Sequence, residues 1–417
     1  MQLVLFIEGI FALVKMRQPT SQFEFVALMA SLMSVVALSI DALLPALDVI
    51  GIDIGTTNVV DNQLLITMIF LGLGIGPLLW GPLSDSIGRK PVVYMGFMLF
   101  IVASFVCVHA QSLEIMVLGR VLQGIGLSAP RTISIAIIRD LYRGDYMARI
   151  MSFVTVVFIL VPIVAPTMGK FILDYYSWET IFYVQVVISL LVSAWFFKRQ
   201  PETLSETNKK NLSTTVFING FKEIIRHKIT IGYTLITGFV TGSFMVYLSS
   251  SQQIFEIQYQ LKETFPYIFA GLALSIGTAI LLNGTLVVRF GMSKMITTSL
   301  LSFFVISVLY VILFFNKENP PITVLLTFFG LQFFSIGFLF GNLRAMAMDP
   351  VGHIAGIASA ITGLISTLMA VPISIFIGRF IQGTALPIFI GFSICSALSL
   401  VILYYLKKPS LKARFTK

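Results

Sequence analysis

The chain has 417 residues, of which 57% are hydrophobic and only 11% charged. A soluble globular chain averages roughly 25% charged residues, so a water-facing surface cannot be built from this composition and a cytosolic enzyme is excluded. Disorder is excluded as well, because a chain this apolar buries itself somewhere. The net charge of +9 gains its meaning from placement. Gathered at one membrane face it is a topology signal rather than a nucleic-acid one.

A bilayer core about 30 Å thick needs about 20 apolar helical residues to cross it. Apolar stretches lie near 24–47, 60–81, 91–110, 113–138, 148–170 and 177–197, and after a polar interval near 229–251, 264–288, 293–315, 321–343, 353–378 and 384–406. The expected fold is an all-α membrane protein of twelve spans in two six-helix bundles. With both termini cytoplasmic, the inner segments collect 22 of the 28 Lys and Arg residues. Lys170, Lys262, Lys317 and Arg379 fall outside, and Arg120 and Arg131 within a span. Moving the count by one span would destroy this asymmetry. The expected organisation is therefore a cytoplasmic N-terminal segment 1–23, a bundle over 24–197, a linker 198–228, a second bundle over 229–406 and a basic tail 407–417. Residues 1–15 lack the basic start and cleavage site of a signal peptide and are expected to be a dispensable extension.

In chain order, the first span carries Asp41, roughly 25 Å along it at 1.5 Å per residue. Span two has Gly72, Gly74, Gly76 and Gly81, read as a close-packing seam. The basic turn Gly81–Lys90 follows, with Asp85, Gly88, Arg89 and Lys90, and Arg289-Phe-Gly-Met-Ser-Lys294 holds the matching place after span eight. Glycine permits a sharp reversal there, and Asp85 can bond backbone N–H groups or a helix N-terminus. The expectation is that Asp85 latches the two bundles on the cytoplasmic side. Span four carries Arg120, Gln123 and Arg131, with Arg120 at a depth comparable to Asp41. Ionisable groups at membrane depth cost about 2.5–3.5 kcal/mol on insertion scales and mark function by default. An Asp41–Arg120 pair can act as a proton site that a substrate or a moving arginine alters, or as a static tie between spans one and four. Arg131 either snorkels or meets an inner acid such as Asp140. Span five contains Pro162, Pro166 and Gly169, a bend that serves as a gate or as packing. Candidate cavity residues are Gln123, Arg131, Tyr247, Gln252, Gln253 and Asn342. Span eleven opens with Ala355-Gly-Ile-Ala-Ser-Ala-Ile-Thr-Gly363, read as a second close-packing seam.

Reactive chemistry is missing from the sequence. His109, His227 and His353 have no metal-ligand spacing, and no phosphate-binding Gly-Lys-Ser/Thr loop occurs. Cys107 and Cys395 lie inside apolar runs and form neither a disulfide framework nor a metal cluster. No metal, cofactor or nucleic-acid partner is expected. The chain reads as one that moves a substance rather than transforming it, and not as an enzyme.

Several of these segments are similar to those of one family. Gly81-x-Leu-x-Asp85-x-x-Gly-Arg-Lys90 resembles motif A of the major facilitator superfamily, and Arg120-Val-Leu-Gln-Gly-Ile-Gly126 its motif B. Ala165-Pro-Thr-Met-Gly169 resembles the antiporter motif. Ser39-Ile-Asp-Ala-Leu-Leu-Pro-Ala-Leu47, Arg139-Asp-Leu-Tyr142 and Ala355-Gly-Ile-Ala-Ser359 resemble the Bcr/CflA drug:proton antiporters. The resemblance covers about residues 16–406. It implies proton and substrate coupling at Asp41 with Arg120 as its partner, gating by Gly81, Asp85, Gly88, Arg89 and Lys90, and an antiport bend at Pro162, Pro166 and Gly169. Lys170 departs from the pattern, standing where a second glycine is common, and Ala165-Pro166 replaces the usual Gly-Pro. The expected activity is proton-coupled efflux of small amphipathic molecules, drugs and antibiotics among them, by a monomer in a bacterial inner membrane. The alternatives are a dedicated exporter of one metabolite, such as a siderophore or dipeptide, and a proton-coupled nutrient importer or facilitator.

Overall fold

The computed structural model describes residues 21–205, 207, 209 and 214–408. The expected extension 1–15, and the basic tail beyond Lys408, lie outside the described residues. Helices and short helical turns make up the secondary structure of the described residues, with no strand among them. Helix α1 (Gln22–Asp41) starts where the Ser21 hydroxyl accepts the Glu24 N–H at 3.1 Å, satisfying one of the open donors of a helix start. A 3₁₀ turn (Leu44–Ala46) and α2 (Leu47–Asp53) follow, then a second 3₁₀ turn (Val59–Gln63) leading into α3 (Leu64–Ile87). Next come α4 (Arg89–Val108), α5 (Leu113–Leu141), α6 (Gly144–Tyr175) and α7 (Glu179–Arg199). The segment expected to be a linker contains a helix of its own, α8 (Thr214–Arg226). Beyond it lie α9 (Lys228–Gln252), α10 (Phe265–Phe290), α11 (Met292–Phe314), α12 (Ile322–Met348), α13 (Ala355–Gly378) and α14 (Leu386–Lys407).

Eleven helical segments among the described residues are long and apolar enough to cross a membrane. The longest, Ile322–Gly378, holds 57 residues and consists of α12 and α13 joined by a 3₁₀ turn at Asp349–Ile354. Large apolar side chains such as Leu191, Val288, Ile312 and Phe376 are exposed on the outside of the bundle. In water such a belt would be an aggregation site, and in a bilayer it is the solvated surface.

Helices α1–α7 pack mainly on one another, with α3 and α4 against α5, α1 against α6, and α4 against α7. Helices α9–α14 do the same, with α9 against α13 and α14, and α12 against α10 and α11. We refer to these as the first and second sets. They meet along α3–α13, α6–α10 and α3–α9. At Gly72 and Gly124 the α3–α5 seam is backbone against backbone, since a Cβ on Gly72 would stand 2.1 Å from the Val121 carbonyl oxygen. The expected seam at the start of α13 is not of this kind, because a Cβ on Gly356 or Gly363 would meet nothing within 4 Å.

The structure corrects the expected turn Gly81–Lys90. Helix α3 continues through Gly81 and Asp85 to Ile87, and Arg89 and Lys90 already belong to α4. Gly88 alone makes the reversal, at φ +112°, and Gly291 repeats the device between α10 and α11 at φ +78°. These backbone conformations disfavour any side chain. Two further placements change. Lys170 lies inside α6, and Arg344 inside α12 rather than in a loop.

Candidate functional site

The first broken helix of the bundle sets the position of Asp41. Pro45 lacks the N–H that would bond the Asp41 carbonyl and its ring crowds that carbonyl, so α1 stops there. Asp41 is 5% exposed and is the only buried carboxylate among the described residues. Its carboxyl makes no hydrogen bond among those residues. Tyr247 of α9 stands near enough for the Asp41 charge to act on it. The Tyr247 hydroxyl is buried without a hydrogen-bond partner, and its ring packs 4.4 Å from Phe333 and 5.3 Å from Phe329. The site therefore joins a carboxyl of the first set to an aromatic cluster of the second.

Arg120 does not pair with Asp41. Its Nε donates to the Leu65 carbonyl at 2.7 Å, Nη1 to Gln123 Oε1 at 2.7 Å and Nη2 to the Ser39 carbonyl at 3.0 Å. Gln123 in turn donates to the Ser104 hydroxyl at 2.8 Å. Both side chains are fully buried. Arg120 thus fixes the last turn of α1 through a backbone oxygen two residues before Asp41, and Gln123 is packed between helices instead of facing a cavity. Arg131 does not meet Asp140, whose carboxylate is held by Arg89. Helix α6 passes through Pro162 and Pro166 without a break. Its Gly169 lies so close to the break in α1 that a Cβ there would stand 1.9 Å from the Ala42 carbonyl oxygen.

Around Gly88 a polar network holds the start of α4. Arg89 pairs with Asp85 and, at 3.0 Å, with Asp140, and donates to the Ser84 hydroxyl at 2.8 Å. Lys90 reaches the Phe197 carbonyl. The hub is a residue the sequence reading passed over, Glu202. Its carboxylate accepts the backbone N–H groups of Arg89 at 3.0 Å, Lys90 at 2.9 Å, Thr203 at 2.9 Å and Leu204 at 3.0 Å. An acid beside Pro201 in an otherwise basic stretch was the available signal. These partners belong to the first set or to the chain just after it, and none lies on α9–α14, so the latch between sets expected at Asp85 is not formed by them. Burial alone would raise the Glu202 carboxyl, but the four N–H bonds outweigh it and hold it below its ordinary value of 4.5. A depressed carboxyl stabilises the fold above its unfolded value and loses that contribution as pH falls through the folded one. Glu202→Gln is expected to lower the melting temperature of the purified protein at pH 7, with the gap to wild type closing below about pH 4.5. A gap that stays constant with pH would contradict this account.

Polar ties between the sets cluster at the opposite end of the bundle. Gln63 donates to Gln253 at 2.8 Å, and Gln253 to the Ile381 carbonyl. Gln252 donates to Asp48 at 2.9 Å and to Glu256 at 3.0 Å, and Lys170 pairs with Asp174 and, at 3.1 Å, with Glu263. A π turn at Gln253–Gln258 aims these side chains. Gln252 and Gln253, expected in a cavity, tie the two sets together here. Asn342 bonds Asn283 at 2.7 Å and its own helix turn. Glu263 is 81% exposed, so its pair is worth about 0–1 kcal/mol, whereas an unpaired buried amide costs roughly 1–3 kcal/mol. Gln253→Ala is therefore expected to open this end more than Lys170→Met. Spin-label distances between positions 58 and 262 would report it, and an equal response of both variants would refute the ranking.

Comparison with known proteins follows the same outline. Residues 29–372 match the family model described as Major Facilitator Superfamily. A bicyclomycin resistance protein homolog of Haemophilus influenzae is 27% identical over 405 residues, covering 96% of this chain and 100% of its own. The multidrug resistance protein MdtL of Shewanella oneidensis is 30% identical over 303 residues, covering 70% and 73%. The crystal structure of the human organic anion transporter MFSD10 (TETRAN) superposes with a TM-score of 0.64 at 15% identity, covering 93% of this chain and all of that one. At that identity the likeness is one of fold.

Proposed function

Since the chain belongs to the Major Facilitator Superfamily, whose members are transporters, we propose that it is a proton-coupled exporter of small amphipathic molecules working by alternating access. Twelve helices cross the membrane, because a segment of 57 residues is about 85 Å long at 1.5 Å per residue and must cross a core of about 30 Å twice. The two sets are the two six-helix halves, residues 24–197 and 229–406, and the segment 198–228 joins them. The basic face holding Arg89, Arg139, Arg199 and Lys407 is cytoplasmic in a bacterial inner membrane. The polar ties at Gln63, Gln252 and Lys170 then close the outer end, and rocking of one half on the other alternates access to a site between them.

The observation that carries this reading is Asp41. It is a lone buried carboxyl at a helix break, without a bonding partner among the described residues. Such a group can take a proton from one side and give it up when substrate or the moving half changes its surroundings. Relatives named for bicyclomycin and multidrug resistance support the direction. Against the importer alternative stand the scarcity of polar groups in the spans to grip a sugar and the segment Pro162–Gly169, which resembles an antiporter motif. Each inward charge gains about 2.3 kcal/mol per 100 mV, enough to drive uphill export.

The test uses purified protein in liposomes with a pH-sensitive dye inside and an imposed pH gradient. A panel of lipophilic drugs and small peptides is added. Drug-triggered proton release is the expected result. Release on peptides alone would point to a dedicated exporter, and silence from folded protein would remove the proposal.

A further inference from the structure

Helix α8 (Thr214–Arg226) carries three different stripes. Residues four apart share a face, and Gly220 and Ile224 form the docked one. A Cβ on Gly220 would stand 2.8 Å from the Ile357 side chain of α13. Ile224 is fully buried in a cluster with Val351, Ala358 and Ile361. Glu223, the only acid in the helix, accepts a hydrogen bond from His353 Nε2 at 2.8 Å, in the turn that leads into α13. These contacts set the roll of α8 about its own axis. Beside the docked face, Ile218, Phe221 and Ile225 recur at the spacing of a single helix face. They are 52%, 46% and 51% exposed. Next around the helix come Lys222 and Arg226, both exposed.

Exposed apolar side chains are ordinary one at a time. Three in one stripe, with a basic stripe next to it, are the pattern of a helix lying in a membrane interface. Position agrees with pattern. Only His227 separates α8 from α9, a helix of membrane-spanning length, so α8 ends within about 8 Å of it. The His227 backbone is extended, at φ −83° and ψ 96°, so the two helices are not one rod. The first turn of α9 exposes Ile229, and the apolar belt of the bundle thereby reaches the end of α8. We propose that α8 is a membrane-surface anchor: Ile218, Phe221 and Ile225 enter the acyl boundary, and Lys222 and Arg226 meet anionic lipid headgroups. Because α8 packs on α9 and α13, the anchor fastens the second set to the lipid surface. The inference rests on the placement of the bundle in a membrane, and not on proton coupling or the direction of transport.

The test places bimane on Ile225→Cys in the full chain. Cys107 and Cys395 are buried, so the label goes to the introduced thiol. The protein is held in phosphatidylcholine nanodiscs containing either doxyl-phosphatidylcholine or doxyl-phosphatidylglycerol, with acrylamide as the aqueous quencher. Lipid quenching is expected to exceed acrylamide quenching. The labelled phosphatidylglycerol should reach the same quenching at about fivefold lower content, since each cation near the surface favours anionic lipid. A label on Asn219→Cys, beside the basic stripe, should be quenched more by acrylamide than by lipid. Lys222→Gln combined with Arg226→Gln should abolish the phosphatidylglycerol preference and leave the melting temperature unchanged, because both side chains are exposed. Acrylamide quenching at position 225 without lipid quenching would place the stripe in water and overturn the proposal. A label shielded from both would assign the stripe to a protein partner, a second copy of the chain included, and overturn it too. Equal quenching by the two lipids, or a preference that survives the double variant, would overturn the headgroup assignment. Both leaflets of a nanodisc carry the same lipids and no substrate is added, so failure of the anchor and failure of the efflux reading are read independently.

Discussion

Replacing Asp41 by asparagine is expected to bring substrate-triggered proton release to background while substrate still binds. The amide keeps the size of the carboxyl and cannot exchange a proton. The packing around it is set by other groups: Pro45 ends the helix, Arg120 holds the Ser39 carbonyl, and Gly169 admits α6 to the break. A buried carboxylate without a partner contributes little to the fold, so the variant should melt at or above the wild-type temperature. Affinity for a neutral ligand should change by less than the roughly tenfold that loss of a charged hydrogen bond produces. The rival carboxylates are Asp48 and Glu256, both bonded to Gln252 at the far end. Asp48→Asn should therefore keep proton release. If release survives in Asp41→Asn and fails in Asp48→Asn, coupling belongs to the closure and not to the helix break.

What the sequence disclosed and what it hid divide along a physical line. Apolar runs of membrane length follow from the solvent alone, so the long apolar helices could be read directly from the sequence. Pairing could not. Arg120 spends two of its three bonds on the carbonyls of Leu65 and Ser39, acceptors that every residue carries and no sequence advertises. The tie between Gln63 and Gln253 spans 190 positions and depends on how the sets meet. Which glycine turns the chain after α3 was equally hidden, since Gly81 and Gly88 differ in φ and not in chemistry. A cation near a helix end lowers the local apolarity that marks a span, so the apolar stretch 321–343 stops short of Arg344 although the helix runs on to Met348.

Gly169→Ala is expected to cost both stability and transport, and a second glycine supplies the contrast. A Cβ at Gly169 would lie 1.9 Å from the Ala42 carbonyl oxygen, whereas ordinary carbon–oxygen contacts are about 3.3–3.6 Å. That oxygen belongs to the backbone of the break and cannot rotate away, so α6 must retreat by about 1.5 Å. Overpacking of this kind costs roughly 1–3 kcal/mol, more than the ~0.5–1 kcal/mol that alanine gains over glycine inside a helix. The clash wins. The retreat also displaces Lys170, the next residue, which pairs with Glu263, and loosens the contact at the break beside Asp41. Gly81 sits inside α3 with nothing within 4 Å of its missing Cβ, so Gly81→Ala has the propensity gain without the clash. Its melting temperature should equal or exceed that of wild type, while Gly169→Ala should melt several degrees lower and lose most substrate-triggered proton release. Equal behaviour of the two variants would mean that α6 does not bear on the break, and that the resemblance of Ala165–Gly169 to an antiporter motif has no mechanical content at this contact.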